Sequence, residues 1–251
     1  MTVTNLSNNH VTKCGKLLRD FPQQHLAPDA AEWRHAIDVI TEFRSLHAAP
    51  MSSVRNGLGA MLRSKSLDLG AAAISQRHKR VERIVRKLQR MPQTSLHRLE
   101  DIGGCRVLLQ RPEDLDALRT RIESRWTADF TREPRDYVEN PKDIGYRAVH
   151  FVVKRHGRAI EIQLRTVGQQ QWADELERLD GRLASRPIPD PSISLKDGLG
   201  PESIREYFAA AGAFIYHTEY GLDITADLLE RLRLAQDAVV DAGYYARPKG
   251  T

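Results

Sequence analysis

A chain of 251 residues with 41% hydrophobic content is long enough for one large domain or two small ones with a buried core. No apolar run approaches the length of a membrane span, and the opening "MTVTNLSNNH" lacks a secretory apolar stretch, so a cytoplasmic protein is expected. The net charge is +5, yet "RHKRVERIVRKLQR" (77–90) alone carries seven Lys or Arg against one Glu, leaving the rest near neutral. Basic character held in one segment suggests a polyanionic partner such as nucleotide phosphates or nucleic acid, although for an arbitrary basic helix a solvated face is the commoner reading. The two cysteines, Cys14 and Cys105, are far apart and in no ligand-like spacing, which argues against a disulfide framework or a zinc site. Cys105, inside "GGCRVLL", reads as a small buried hydrophobe.

In chain order, residues 1–28 read as an N-terminal segment that is poorly ordered or dependent on a partner. Residues 29–184 read as one domain, and 185–251 as a loop and C-terminal helices packed on it or extending it. Trp33, Ile37, Ile40 and Phe43 have helical spacing, and a second helix is expected over 52–63. Residues 70–90 read as mostly helical, with Val81, Ile84, Val85 and Leu88 on one face and Lys79, Arg83, Arg86 and Arg90 opposite. The period then changes. Strands are expected at 105–110, 126–133, 146–156 and 159–166, with a crossover helix from Pro112 and a hairpin turn at Gly157–Arg158. Helix resumes at 169–179; the Pro/Gly-rich 185–201 stretch reads as a loop or flap, and two helices follow. The pattern predicts an α+β fold, a mixed sheet of about five strands flanked by helices.

"IEIQLRT" (160–166) alternates without a fault, so Ile160, Ile162 and Leu164 face a core while Glu161, Gln163 and Arg165 share the other side. If the preceding strand does the same, Tyr146 and His150 join them, giving an aromatic, a carboxylate and phosphate-binding groups on one surface. Asp101 stands at a strand entrance, and with Glu161 it makes a reasonable Mg²⁺ pair. Taken singly, Glu161 and Arg165 are more often a cross-strand ion pair, His150 a satisfied structural histidine and Tyr146 a rim aromatic.

Together, "RHKRVERIVRKLQR…LEDIGGCRVLL" and "DYVENPKDIGYRAVHF…GRAIEIQLRTVGQQQWADELE" resemble the synthetase domain of RelA/SpoT alarmone synthetases, from about Gln76 to Glu177. The resemblance implies a nucleotidyltransferase-like mixed sheet and a magnesium-dependent pyrophosphokinase that moves the β,γ-diphosphate of ATP onto a ribose 3′-hydroxyl. It implies ATP binding by Arg77, Lys79 and Lys87, with Arg83 where the family has serine, and by Arg106 of the D-I-x-G-x-R block. Asp101 would be a magnesium ligand, and Glu161 a magnesium ligand or general base. Lys142, Tyr146, His150, Gln163 and Arg165 would handle the acceptor, with Tyr146 stacking on its base.

Alarmone makers of this family commonly carry Asn just before the G-Y of the third block, where it reads guanine; this chain has Ile144. A site lacking that partner loses roughly 1–3 kcal/mol of discrimination. The motifs are most similar to short, single-domain toxic members, some of which transfer diphosphate to the 3′ end of tRNA. No His-Asp dipeptide occurs in the chain, so the expected partner is an antitoxin protein in place of a companion hydrolase domain. Arg80, Arg83, Arg86 and Arg90 are then candidates for an RNA backbone. The rival expectations are a synthetase acting on GDP, GTP or adenosine nucleotides, and a non-catalytic RNA-binding or antitoxin-like relative.

Overall fold

In the computed structural model, which describes residues 6–20, 31–64, 69–184, 194–195 and 198–245, period-two alternation builds the centre of the molecule. β4 (Val149–Arg155) and β5 (Arg158–Thr166) form an antiparallel hairpin. Its turn lies at His156–Gly157, one residue before the expected position, with both residues at positive φ (48° and 75°). That is the type I′ combination whose twist suits a two-residue hairpin. β2 (Gly103–Leu109) runs parallel to β5, and β1 (Ala72–His78) pairs antiparallel with β2. The two-residue β3 (Arg135–Asp136) closes the other edge against β4. The order β1-β2-β5-β4-β3 is the mixed five-stranded sheet the sequence pattern predicts.

Two expectations fail. Residues 72–78 are an edge strand, where helix was expected: in "AAISQRH" only Ile74 turns to the core, so no alternation marks it, and pairing with β2 decides its conformation. The stretch 126–133 is not a strand. A helix, α5 (Pro112–Trp126), runs into it, a 3-10 turn follows at Thr127–Asp129, and Phe130 makes a lone bridge to Val153.

One face of the sheet is covered by α3 (Ala48–Leu62) and α5, whose Val54, Leu58, Leu115 and Leu118 join Val107, Phe151, Ile162 and Leu164 in one core. Ile160, Ile162 and Leu164 are fully buried, each worth about 1.5–3 kcal/mol of transfer free energy. That burial locks the register, because a one-residue slip would exchange them with Glu161, Gln163 and Arg165.

A second core joins α1 (Asn8–Asp20), α2 (Ala31–Ser45) and α4 (Val81–Arg90) through Val11, Leu18, Ile40, Phe43, Ile84 and Leu88. Within the expected N-terminal segment 1–28, Asn8–Asp20 form a helix that buries Val11, Cys14 and Leu18, and residues 1–5 and 21–28 lie outside the described residues. A third core holds α6 (Val167–Ala184), α7 (Glu202–Glu219) and α8 (Ala226–Asp241). Gly145, at φ 85°, sits so close to α7 that an added Cβ would stand 2.7 Å from the Phe208 carbonyl oxygen. A Cβ on Gly212 would meet the Gly145 oxygen at 2.4 Å, so this backbone contact sets where Ile144 and Tyr146 lie. Most of the expected 185–201 flap lies outside the described residues. Among the described residues no helix is long and apolar enough to cross a membrane.

Candidate active site

The core-facing alternation sends the intervening side chains to the opposite face, and the register sets them in rows. Ser75 of β1, Arg106 of β2, Gln163 of β5, His150 of β4 and Arg135 of β3 are successive partners across all five strands. The neighbouring row is Arg77, Gly104, Glu161 and Val152. Above this floor opens a cavity of about 310 Å³, walled by Lys87 of α4, by Trp172, Leu176 and Glu177 of α6, and by Tyr137, Lys142, Ile144 and Tyr146.

All eleven residues expected to act on ATP, acceptor or metal line this one cavity: Asp101, Glu161, Arg77, Lys79, Lys87, Arg106, Lys142, Tyr146, His150, Gln163 and Arg165. The four arginines expected to meet RNA do not. Arg80, Arg86 and Arg90 are exposed around α4, and Arg83 is held 3.5 Å from Asp180 of α6. Arg135, Tyr137 and Trp172 line the cavity without having been anticipated. Trp172 lies in the "QQQWADELE" stretch that carries the family resemblance, but a two-residue edge strand gives no periodic signal for Arg135 or Tyr137.

Seven cationic side chains and three carboxylates face the cavity, an electrostatic match to a polyanion. The Arg106 Nε is buried and without a hydrogen-bond partner, a donor suited to an incoming anionic oxygen. Asp101 Oδ2 accepts from Lys79 Nζ at 2.5 Å and Lys87 Nζ at 2.7 Å. Burial alone raises the Asp101 pKa, but the two ammonium groups outweigh it and hold the carboxyl below its usual range. Burial lowers the pKa of Lys79 despite Asp101 beside it.

A hydrogen-bonded chain fixes the glutamate. Arg165 Nη2 donates to the Tyr146 hydroxyl (2.8 Å), whose one proton goes to His150 Nε2 (2.6 Å). His150 is thereby left with its proton on Nδ1, donating to Glu161 Oε1 at 3.0 Å. Burial lowers the His150 pKa, in keeping with a neutral ring. Gln163 Nε2 donates to Glu161 Oε2 at 2.7 Å. For Glu161, burial raises the pKa, yet the bonds from His150 and Gln163 and the charge of Lys79 bring it to about 2. The carboxylate is ionised and aimed.

The residues present fit a hard divalent cation. Asp101 Oδ1 is buried with no hydrogen-bond partner, and Glu161 is a second anionic oxygen donor lining the same cavity. Tyr146 is not laid open as a simple stacking platform. Its ring packs edge-on against Tyr137, His150 and Trp172, with Lys142 and Arg165 over its faces. Ile144 is 3% exposed and shares a cluster with Trp172 and Phe208. Cys105 is buried, and burial pushes its thiol up to about 11, so it is an inert hydrophobe as expected.

Residues 76–178 match the family model described as "Region found in RelA / SpoT proteins". The GTP pyrophosphokinase YjbM of Bacillus subtilis is 31% identical over 112 residues, 40% of this chain and 52% of that protein. The uncharacterized protein Rv1366 of Mycobacterium tuberculosis is 28% identical over 183 residues, 69% of this chain and 58% of that protein. The chain thus spans little more than half the length of these curated relatives. In fold it is similar to the small alarmone synthetase 1 of Bacillus subtilis, a crystal structure bound to its product pppGpp. The TM-score is 0.56 at 20% identity, covering 72% of this chain and 94% of that one. The aimed carboxylate and its cationic cavity thus lie on a sheet folded like that synthetase, in a chain whose residues 76–178 match the region found in RelA/SpoT proteins.

Proposed function

We propose that this protein is a pyrophosphokinase, transferring the β,γ-diphosphate of ATP to a ribose 3′-hydroxyl in the cytoplasm. The observation that carries the reading is Glu161, ionised and oriented by His150 and Gln163 within a cavity of clustered cations. In this reaction the 3′-oxygen bonds to the β-phosphorus, the bond from that phosphorus to the α–β bridging oxygen breaks, and AMP leaves with the electron pair. Glu161 accepts the hydroxyl proton as the new bond forms. Arg77, Lys79, Lys87 and Arg106 bind the triphosphate and offset charge developing on the transferred group. As Lys79 and Lys87 turn toward phosphate they release Asp101. Asp101 and Glu161 would hold Mg²⁺, which when bound supplies charge neutralisation at the phosphates. Lys142 and Tyr146 would position the acceptor, with His150 and Gln163 holding Glu161 toward it.

For the acceptor, the leading reading is the 3′ end of tRNA, with the protein acting as a translation-inhibiting toxin countered by an antitoxin. Ile144 supports it: a buried apolar side chain offers guanine no hydrogen bond where family members commonly read that base. The exposed Arg80, Arg86 and Arg90 would then meet the RNA backbone. A second reading, transfer to GDP or GTP, is supported by relatives named GTP pyrophosphokinases. The test is to supply γ-labelled ATP with deacylated tRNA, GDP, GTP or ADP separately. Label in tRNA alone is expected; label in GDP or GTP replaces the leading reading with the second, and no transfer to any acceptor overturns the enzyme.

A further inference from the structure

Away from the cavity, α1 and α2 bring three metal-ligating side chains to one point. His10 and Cys14 lie one turn apart on α1, at i and i+4, so both project from the same face, and His35 faces them from α2. One ligand atom from each falls within 4.8 Å of the others. His10 Nε2 stands 3.3 Å from His35 Nε2 and 3.9 Å from Cys14 Sγ. Tetrahedral zinc, with Zn–N about 2.0–2.1 Å and Zn–S about 2.3 Å, sets nitrogens about 3.3–3.4 Å apart and nitrogen from sulfur about 3.6 Å apart. The His–His spacing is already that of two imidazoles on one ion, the His10–Cys14 spacing is about 0.3 Å longer than the ideal, and the third pair lies within 4.8 Å.

Ordinary hydrogen bonding accounts poorly for the same convergence. Two Nε2 atoms at this distance share at most one proton, and a thiol at 3.9 Å contributes little. We propose that His10, Cys14 and His35 form a Zn²⁺ site that fastens α1 to α2. His35 and the half-buried His10 give the ion a path from solvent, and the fourth position falls to water or an exogenous ligand. The spacing of the two cysteines argued against zinc, but here histidines supply the other two ligands, one of them from a helix 21 residues beyond Cys14. The site is independent of the proposed reaction, although α1 packs on α4, the helix that carries Lys87.

The test titrates chelator-treated full-length protein with Zn²⁺ and, separately, with Co²⁺. One equivalent is expected, with a thiolate-to-cobalt charge-transfer absorption that Cys14→Ser abolishes. At free Zn²⁺ of about 100 times Kd, the folding constant should rise about 100-fold. His35→Ala, at an exposed position and checked for folding by circular dichroism, should lose both responses. A parent protein that binds less than one equivalent, or a charge-transfer band unchanged in Cys14→Ser, would overturn the site and leave a plain His–His hydrogen bond.

Discussion

Tyr146→Phe removes one oxygen and leaves the ring, so it separates the hydroxyl's work from the ring's. In the structure that hydroxyl accepts from the Arg165 guanidinium and donates to His150 Nε2. The first bond is charge-assisted and worth about 1.5–3 kcal/mol; the second is worth about 0.5–1.5 kcal/mol. Arg165 is 5% exposed and already has an unpartnered Nε, and burial limits water from replacing the lost partner. The expected destabilisation is about 2–4 kcal/mol, while packing against Trp172 and Tyr137 persists. Without the hydroxyl's proton on Nε2, His150 is no longer held with its Nδ1 proton on Glu161. Losing about 1.4 kcal/mol of that alignment costs a tenfold drop in kcat, with acceptor KM unmoved. The assay pairs urea unfolding with single-turnover diphosphate transfer on the same preparation. A Phe variant with the parent's urea midpoint and kcat would refute the hydrogen-bonded chain and leave Tyr146 as a ring alone.

Glu161→Gln removes the proton acceptor and is expected to reduce transfer by about 10²–10⁴-fold with ATP binding retained, measured by equilibrium nucleotide binding beside turnover. Asp101→Asn should weaken ATP-dependent transfer comparably by removing an anionic oxygen proposed to hold Mg²⁺; a parent-like rate in either variant would remove the mechanism. His47, 2% exposed with Nδ1 on the Phe43 carbonyl, is lowered by burial from 6.5 to about 4. Below 6.5 the unfolded chain takes up a proton that the folded one refuses, so stability is lost as pH falls from 6.5 toward 4, by about 3 kcal/mol. Urea midpoints across that window should fall, and less so in His47→Gln. Gly212→Ala drives a Cβ to 2.4 Å from the Gly145 oxygen, backbone against backbone, and should cost about 3 kcal/mol. Gly181→Ala, where an added Cβ meets nothing within 4 Å, should be neutral or stabilising by about 0.5–1 kcal/mol in a thermal melt.

Much of the candidate site was legible because β-strand alternation is a local rule. Once Ile160, Ile162 and Leu164 are buried, Glu161, Gln163 and Arg165 must share the other face, and the same holds for His150. The α4 stripe was legible for the same reason, with Ile84 and Leu88 inward. β1 was not, because an edge strand with one inward residue owes its conformation to hydrogen bonds with β2. Arg135 and Tyr137 were hidden similarly, placed by a two-residue strand and the chain beyond it.

By itself, then, the sequence determined which side chains face away from the core and which segment carries the positive charge, since both follow from near neighbours along the chain. Only the tertiary structure decided which of those faces meet. It set Lys79 and Lys87 on one oxygen of Asp101, aimed the Tyr146 hydroxyl at His150 Nε2, and brought His35 against His10 and Cys14. Such pairings depend on strand register and helix packing, which no local period encodes.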